Sequence, residues 1–354
     1  MRHRIARPVL LTMVAALAAS TLGLPAPGSA AEPTVVVAGY GGSFQKGIET
    51  SVIPDFEKAY HCHVNYVTGA STDTLAKLQA ERSAPQIDVA IIDDGPQAQA
   101  RQLGLIAPLD PKLVTNLADV YPIARLQGDL GVGLGIVATG LVYNTKYFAE
   151  HHWKPLESWK DLANPELNGK LVLPSITNTY GVHLLVMEAR ANGGSVTDIE
   201  PGFAFMKKIA PMAVNFDKTA DVSNYFLQGS AVASAWSNAR ANILKSQGFP
   251  IEFVYPKEGA VALMSTVNVV KNAPNPQLAQ EFVNYLLAAK TQEMIAQTVF
   301  FGPTNRTATL PPKAQAMVVY GPAQIAKLVK MNWTLINQQR AAWTNRWERE
   351  IESR

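Results

Sequence analysis

The sequence predicts an α/β fold with two lobes, each a mostly parallel sheet flanked by helices, joined by a two-strand hinge. Three observations carry that expectation. Short β-branched runs alternate with helical stretches through the first hundred residues, the pattern of a parallel sheet covered on both faces. The chain has 354 residues, 47% of them hydrophobic, more than one domain of roughly 100–200 residues needs. Two apolar segments, 136–143 and 260–270, lie far apart in the chain, and the first suits a crossing from one lobe to the other.

At the beginning, Arg2, Arg4 and Arg7 precede an apolar stretch over 9–22, and the small residues of 26–31 follow. That layout predicts a secretory signal peptide over 1–31, because the apolar run is shorter than the roughly 20 residues that span a bilayer. Its three arginines account for the net charge of +3 and leave 28 basic against 28 acidic residues. Near neutrality there is no electrostatic case for nucleic acid or for membrane association. Cys62 is the only cysteine, so no intrachain disulfide is available. His61 and His63 flank it, but nothing nearby completes a ligand set, and no metal is expected.

Residues 34–38 (TVVVA) read as a buried strand. Gly39-Tyr40-Gly41-Gly42-Ser43 leads into a helix over 44–60, kinked or restarted at Pro54. A strand over 62–68, a helix over 72–82 capped by Ser71 and a strand over 87–92 follow, the last ended by Asp93-Asp94-Gly95. Ligands of open α/β sheets bind beyond the carboxyl ends of the strands, which points first to 39–44 and 93–95. The glycines of 131–135 break the chain before the first crossing. The expected lobes are 32–137 and 265–310 for the first, 138–264 for the second, and 311–354 as a C-terminal helical segment packing on the second.

In the second lobe, a strand over 170–173 runs into the loop 174–180, which meets a helix near Gly181. Free backbone N–H groups and the side chains of Asn178 and Thr179 gather at that helix start. A strand over 231–235 precedes Trp236-Ser237-Asn238-Ala239-Arg240, which opens the next helix. The turn 255–259 has Pro256 to fix φ and Gly259 for a positive φ. Beyond it, Ser265 and Thr266 interrupt the apolar crossing, as the wall of a wettable cleft would. Asn275-Pro276 starts a helix whose stripe of Leu278, Phe282, Tyr285 and Leu286 packs on the first lobe. Residues 301–306 make a turn, and a final helix over 332–350 carries Trp333, Ile336, Trp343 and Trp347 at core spacing.

Catalytic signatures are absent. No G-x-S-x-G, H-E-x-x-H, C-x-x-C or phosphate-loop pattern occurs, and the 131–135 glycines lack the context of a dinucleotide site. His183 stands alone on a helix and reads as structural. No catalytic residue and no cofactor are expected.

The segments YNTKYF (143–148), SWKDLANPELNGK (158–170), YPKEGAVALM (255–264), APNPQLAQEFVNYLL (273–287) and GPTNR (302–306) resemble the spermidine/putrescine-binding type of periplasmic solute-binding protein. The resemblance implies a type II periplasmic binding fold and a monomer that closes on a small solute and delivers it to an ABC permease in the inner membrane. In its polyamine-binding members, aromatic walls and carboxylates hold the ammonium groups. Here Ser175, Ile176 and Thr179 replace one acidic position, Ser265 another, and 39–44 has lost the aromatic-acidic box. The expected solute is therefore an amino acid, an amino acid derivative or an organic acid, with a polyamine as the alternative and a secreted hydrolase as the alternative of another class.

The expected site is Tyr40, Gly42, Ser43, Asp93, Asp94, Asn178, Thr179, Trp236, Asn238, Arg240, Ser265 and Thr266. Arg240, Ser43, Asn178 and Thr179 suit an anionic group, since arginine offers a bidentate fork. Gly41 and Gly42 let the backbone approach an anion. Asp93 and Asp94 suit an amine, or one of them caps a helix. Trp236 supplies an aromatic wall or packs in the core.

Overall fold

The computed structural model describes residues 32–353; the expected signal peptide over 1–31 lies outside the described residues. In chain order, β1 (Thr34–Gly39), α1 (Ser43–Ser51), α2 (Ile53–Tyr60), β2 (His63–Thr68), α3 (Ser71–Ala80), β3 (Val89–Asp93) and α4 (Asp94–Gln102) come first. Next come β4 (Val132–Asn144), α5 (Thr145–Glu150), β5 (Leu171–Pro174), α6 (Thr179–Ala191), α7 (Glu200–Ile209), β6 (Ala213–Asp217), α8 (Ser223–Leu227), β7 (Ala233–Ser237) and α9 (Asn238–Ser246). The chain ends with β8 (Ile251–Val254), β9 (Val261–Val269), α10 (Pro276–Leu287), α11 (Ala289–Thr298), β10 (Gly302–Pro303), α12 (Pro312–Gln315), α13 (Gly321–Ile325) and α14 (Trp333–Trp347).

The sheet runs β2-β1-β3-β9-β4-β7-β5-β6. β1 is parallel to β2 and β3 at one end, and β5 is parallel to β6 and β7 at the other. Between them β9 and β4 pair antiparallel, from Val132 opposite Val267 to Thr139 opposite Val261. These two strands are the only ones that join the parallel halves along that path. Two large apolar clusters pack on the sheet: one buries Phe44, Ile48, Phe56 and Phe282 against β1 and continues to Phe226 and Trp236, and the other buries Trp159, Phe203 and Trp347 around β5.

Most expected elements are present, with informative shifts. The helix expected over 44–60 is two helices meeting at Val52, because Pro54 has no N–H to continue the ladder of α1. Of the 131–135 glycines, Gly131 bends the chain at φ +89° just before β4, while Gly133 and Gly135 do not break it but lie inside that strand, with a register irregularity between them. Their lack of a side chain serves close packing: a Cβ on Gly133 would lie 2.5 Å from Met264 Sδ, and one on Gly135 2.8 Å from Phe301. β7 starts two residues later than expected and contains Trp236, which stands opposite Gly140 of β4. Ser71 is the first residue of α3 rather than its cap.

In the stripe of α10, Phe282 and Leu286 are buried and Leu278 and Tyr285 half-buried, with Phe56 edge-on to Phe282 at 4.8 Å. The four apolar residues singled out on the final helix are buried, packed with Trp159 and Phe203. Cys62 is buried and its flanking histidines exposed. Among the described residues no helix is long and apolar enough to cross a membrane.

Candidate functional site

Parallel strands aim the starts of their following helices at one edge of the sheet, and here those starts come from both halves. α3 begins at Ser71 and α6 at Thr179, and both open onto a cavity of about 40 Å³ between the two halves. The first-turn N–H groups of a helix have no helical acceptor and carry its positive dipole end. Tyr40, Asp93, Asn178, Tyr180, Ser237 and Arg240 also line the cavity, over an apolar floor of Val137, Leu263 and Phe301.

Asp93 is the carboxylate at the centre. The register that sets it opposite Ser265 also brings Tyr40 to both: the phenol donates to Asp93 Oδ1 at 2.5 Å and lies 3.0 Å from Ser265 Oγ. From the other half, Thr179 Oγ1 donates to Asp93 Oδ2 at 2.6 Å. Ser71 Oγ accepts from the Asp93 N–H at 3.0 Å. Burial pushes the Asp93 carboxyl above its usual range, while the hydroxyls of Thr179 and Tyr40 pull it back. The Tyr40 phenol is pushed well up by burial and by Asp93 beside it, and burial takes Tyr180 to about 12. All these tyrosines are neutral donors at neutral pH.

Arg240 is the cation of the site. It sits in the first turn of α9, with Ser237 capping that helix. Its Nη1 donates to Ser43 Oγ at 2.8 Å, to Asp221 Oδ2 at 3.3 Å and to Gly41 O at 3.4 Å, and Nη2 reaches Gly41 O at 3.3 Å. The guanidinium therefore ties the loop after β1 to the loop after β6. Gly42, at φ +67°, leaves the space: a Cβ there would lie 2.6 Å from Asp221 Oδ2. Gly42, Ser43 and Trp236 line a second hollow of about 410 Å³ on the far side of Arg240.

Of the expected residues, Tyr40, Asp93, Asn178, Thr179 and Arg240 line the cavity, with Gly42 and Ser43 just behind Arg240. Trp236 is 1% exposed, and its indole N–H donates to Ala220 O at 3.3 Å. Asn238 accepts from the Ala138 N–H at 2.8 Å, tying α9 to β4, and Thr266 donates to Ile92 O at 2.7 Å, tying β9 to β3. Asp94 points away from the cavity toward Trp333, and Ser265 reaches the site through Tyr40. Sequence reasoning missed Tyr180, Ser237, Thr219 and Asp221. Ser71 was visible as a helix start; the loop holding Thr219 and Asp221 was not, because β6 went unread. His183 is fully buried with Nδ1 2.9 Å from Thr139 Oγ1, outside the cavity.

The profile of the bacterial extracellular solute-binding protein family matches residues 51–319. The spermidine/putrescine-binding periplasmic protein of Escherichia coli K12 is 24% identical over 270 residues, 74% of this chain and 76% of that protein. The gamma-aminobutyric acid-binding protein of Pseudomonas aeruginosa is 23% identical over 315 residues, 86% and 87% of the two chains. The periplasmic binding protein AgtB from A. tumefaciens R10, solved in complex with agropinic acid, superposes with a TM-score of 0.77 at 22% identity, covering 90% of this chain and 99% of that one. The chain belongs to the bacterial extracellular solute-binding protein family, as a solute-binding protein of an ABC transporter with the type II periplasmic binding fold.

Proposed function

We propose that this protein captures a small polar solute with an anionic group, an amino acid, amino acid derivative or organic acid, and delivers it to an inner-membrane ABC permease. One observation carries the ligand class. The starts of α3 and α6 face one cavity from opposite halves with Arg240 beside them, and helix starts plus a guanidinium favour carboxylate or phosphate. An amine on the same solute would meet Asp93. One similar protein is named for gamma-aminobutyric acid and another was solved with agropinic acid bound, which supports the same reading.

In this reading the lobes are 32–137 with 265–310, and 138–264, with the C-terminal segment on the second. β4 and β9 bend as the hinge. The cavity has room for roughly three waters at 10–15 Å³ each, so a solute enters by lobe separation and is retained by closure. Closure needs only that the ligand make more contacts in the closed state. The working protein is a periplasmic monomer, exported through the 1–31 peptide, and its role is to capture and deliver rather than to catalyse.

A polyamine is the second reading, favoured by Asp93 and by the spermidine/putrescine-binding relative. One feature weighs against it: the fixed charge of Arg240 beside the cavity repels a polycation. A thermal-shift panel on protein stripped of carried-over ligand by partial unfolding and dialysis separates the readings. A ligand at 100 times its Kd adds about 2.7 kcal/mol, or several degrees of Tm. Acids or amino acids raising Tm support the reading; a response to polyamines alone overturns it.

A further inference from the structure

The C-terminal helix α14 is rooted in one half of the molecule and reaches the other. Ile336, Trp343 and Trp347 bury in the core around β5 and α6. The same helix grips α4, which belongs to the β1–β3 half. Gln99 Nε2 donates to Asn337 Oδ1 at 3.0 Å, and Asn337 Nδ2 donates to Gly95 O at 3.1 Å. The ring of Trp333 covers Gly95 so closely that a Cβ there would lie 2.6 Å from it. One turn later, Arg340 Nη2 donates to Ile176 O at 2.8 Å, in the loop just before Asn178 and Thr179.

These contacts close a ring. From Asp93 the chain passes to Gly95, across to α14, back through Arg340 to Ile176, and on to Thr179, which donates to Asp93. We propose that α14 is an inter-lobe clasp, which holds α4 through Asn337 and so sets how far the cleft opens when no solute is bound. This proposal rests on the hinge-closure reading above, since a clasp has meaning only if the lobes separate.

The polar groups at the grip indicate that it is balanced rather than permanent. The Trp333 indole and the Asp94 carboxyl face each other at the grip, and beside them His183 Nε2 is buried with no hydrogen-bond partner, its ring 5.6 Å from that of Trp333. Buried polar groups left unpaired oppose the contact that buries them. Separating α14 from α4 would return the buried Asp94 carboxyl to water, which offsets the lost Asn337 bonds. An equilibrium poised in this way responds to the loss of a single hydrogen bond.

The test is a distance measured between spin labels on Lys58→Cys in α2 and Lys208→Cys in α7, in a Cys62→Ala background of the full chain without added ligand. Gln99→Ala, which removes one hydrogen bond, should raise the open-to-closed ratio about fivefold, and Asn337→Ala, which removes two, about 25-fold; both residues lie outside the cavity. Gln99→Ala should add nothing in the Asn337→Ala background, because its partner is already gone. Distance distributions matching the parent in both single variants would overturn the clasp. So would an undiminished effect of Gln99→Ala when Asn337 is absent. The thermal-shift panel on the same proteins reports solute binding separately: hits with unmoved distances sink the clasp alone, and widened distances without any hit sink the solute reading while supporting the clasp.

Discussion

Replacing Arg240 with alanine removes the one cation of the cavity and separates its two roles. In the structure its only short bond is the 2.8 Å contact to Ser43; those to Asp221 and Gly41 are 3.3–3.4 Å. The charge-assisted bond contributes about 1.5–3 kcal/mol, and a partly exposed pair such as Arg240–Asp221 adds about 1 kcal/mol or less. Arg240→Ala should therefore cost about 2–4 kcal/mol of stability and lower Tm by about 4–8 °C. Its effect on an anionic solute is larger, because the charge is desolvated by closure: about 2–5 kcal/mol, a roughly 30- to 5000-fold rise in Kd. The assay is calorimetric titration of parent and variant with an acid from the panel and with its uncharged amide. Loss for the acid alone supports the assignment. Equal loss for both would refute it and leave Arg240 as a strut between the Gly41 and Asp221 loops.

Trp236→Ala should destabilise the fold by about 3–5 kcal/mol through a large core cavity, read from the midpoint of chemical denaturation; an unchanged midpoint would contradict its buried placement. Burial raises the Asp94 carboxyl to about 7, against the pull of Trp333, so the folded protein holds a proton there that the unfolded chain releases near 4. Stability is then lost as pH rises from 4 through 7, and Asp94→Asn should gain about 2–4 kcal/mol on the parent across that window; a difference independent of pH would contradict this. His183 behaves oppositely, because burial lowers it to about 3. Its contribution is present above pH 6.5 and lost as pH falls toward 3, so His183→Gln should recover about 3–5 kcal/mol relative to the parent over that range, and parallel pH curves would rule it out.

Much of the fold was legible because its signals are local. β1 and β3 are short β-branched runs buried along nearly their whole length, and Asn275-Pro276 marks the start of α10 where the chain does turn helical. Signals that depend on distant partners were not readable. Gly133 and Gly135 look like breakers in the sequence, yet they sit in a strand because Met264 and Phe301, far along the chain, come against them. β6 buries only its last residue, Asp217, and shows no alternation at the sheet edge, which hid both the strand and the loop that brings Asp221 to Arg240.

The site was read unevenly for the same reason. Asp93, Thr179 and Arg240 lie next to recognisable strand ends and helix starts, where open sheets expose function. Whether Trp236 forms a wall or packs inside depends on its pairing opposite Gly140, a fact of register. Asp94 differs from Asp93 by one position along the chain and faces the opposite way, as successive residues leaving a strand do.

The central claim is that an anionic group of the solute sits between the starts of α3 and α6, against Arg240. A crystal structure of the protein with the panel ligand that raises Tm most tests it directly. The account predicts a carboxylate or phosphate within hydrogen-bond distance of Arg240 and of first-turn N–H groups at Ser71–Thr72 or Thr179–Tyr180. A ligand whose charged contact is an ammonium on Asp93, with Arg240 still bound to Gly41, Ser43 and Asp221, would contradict it.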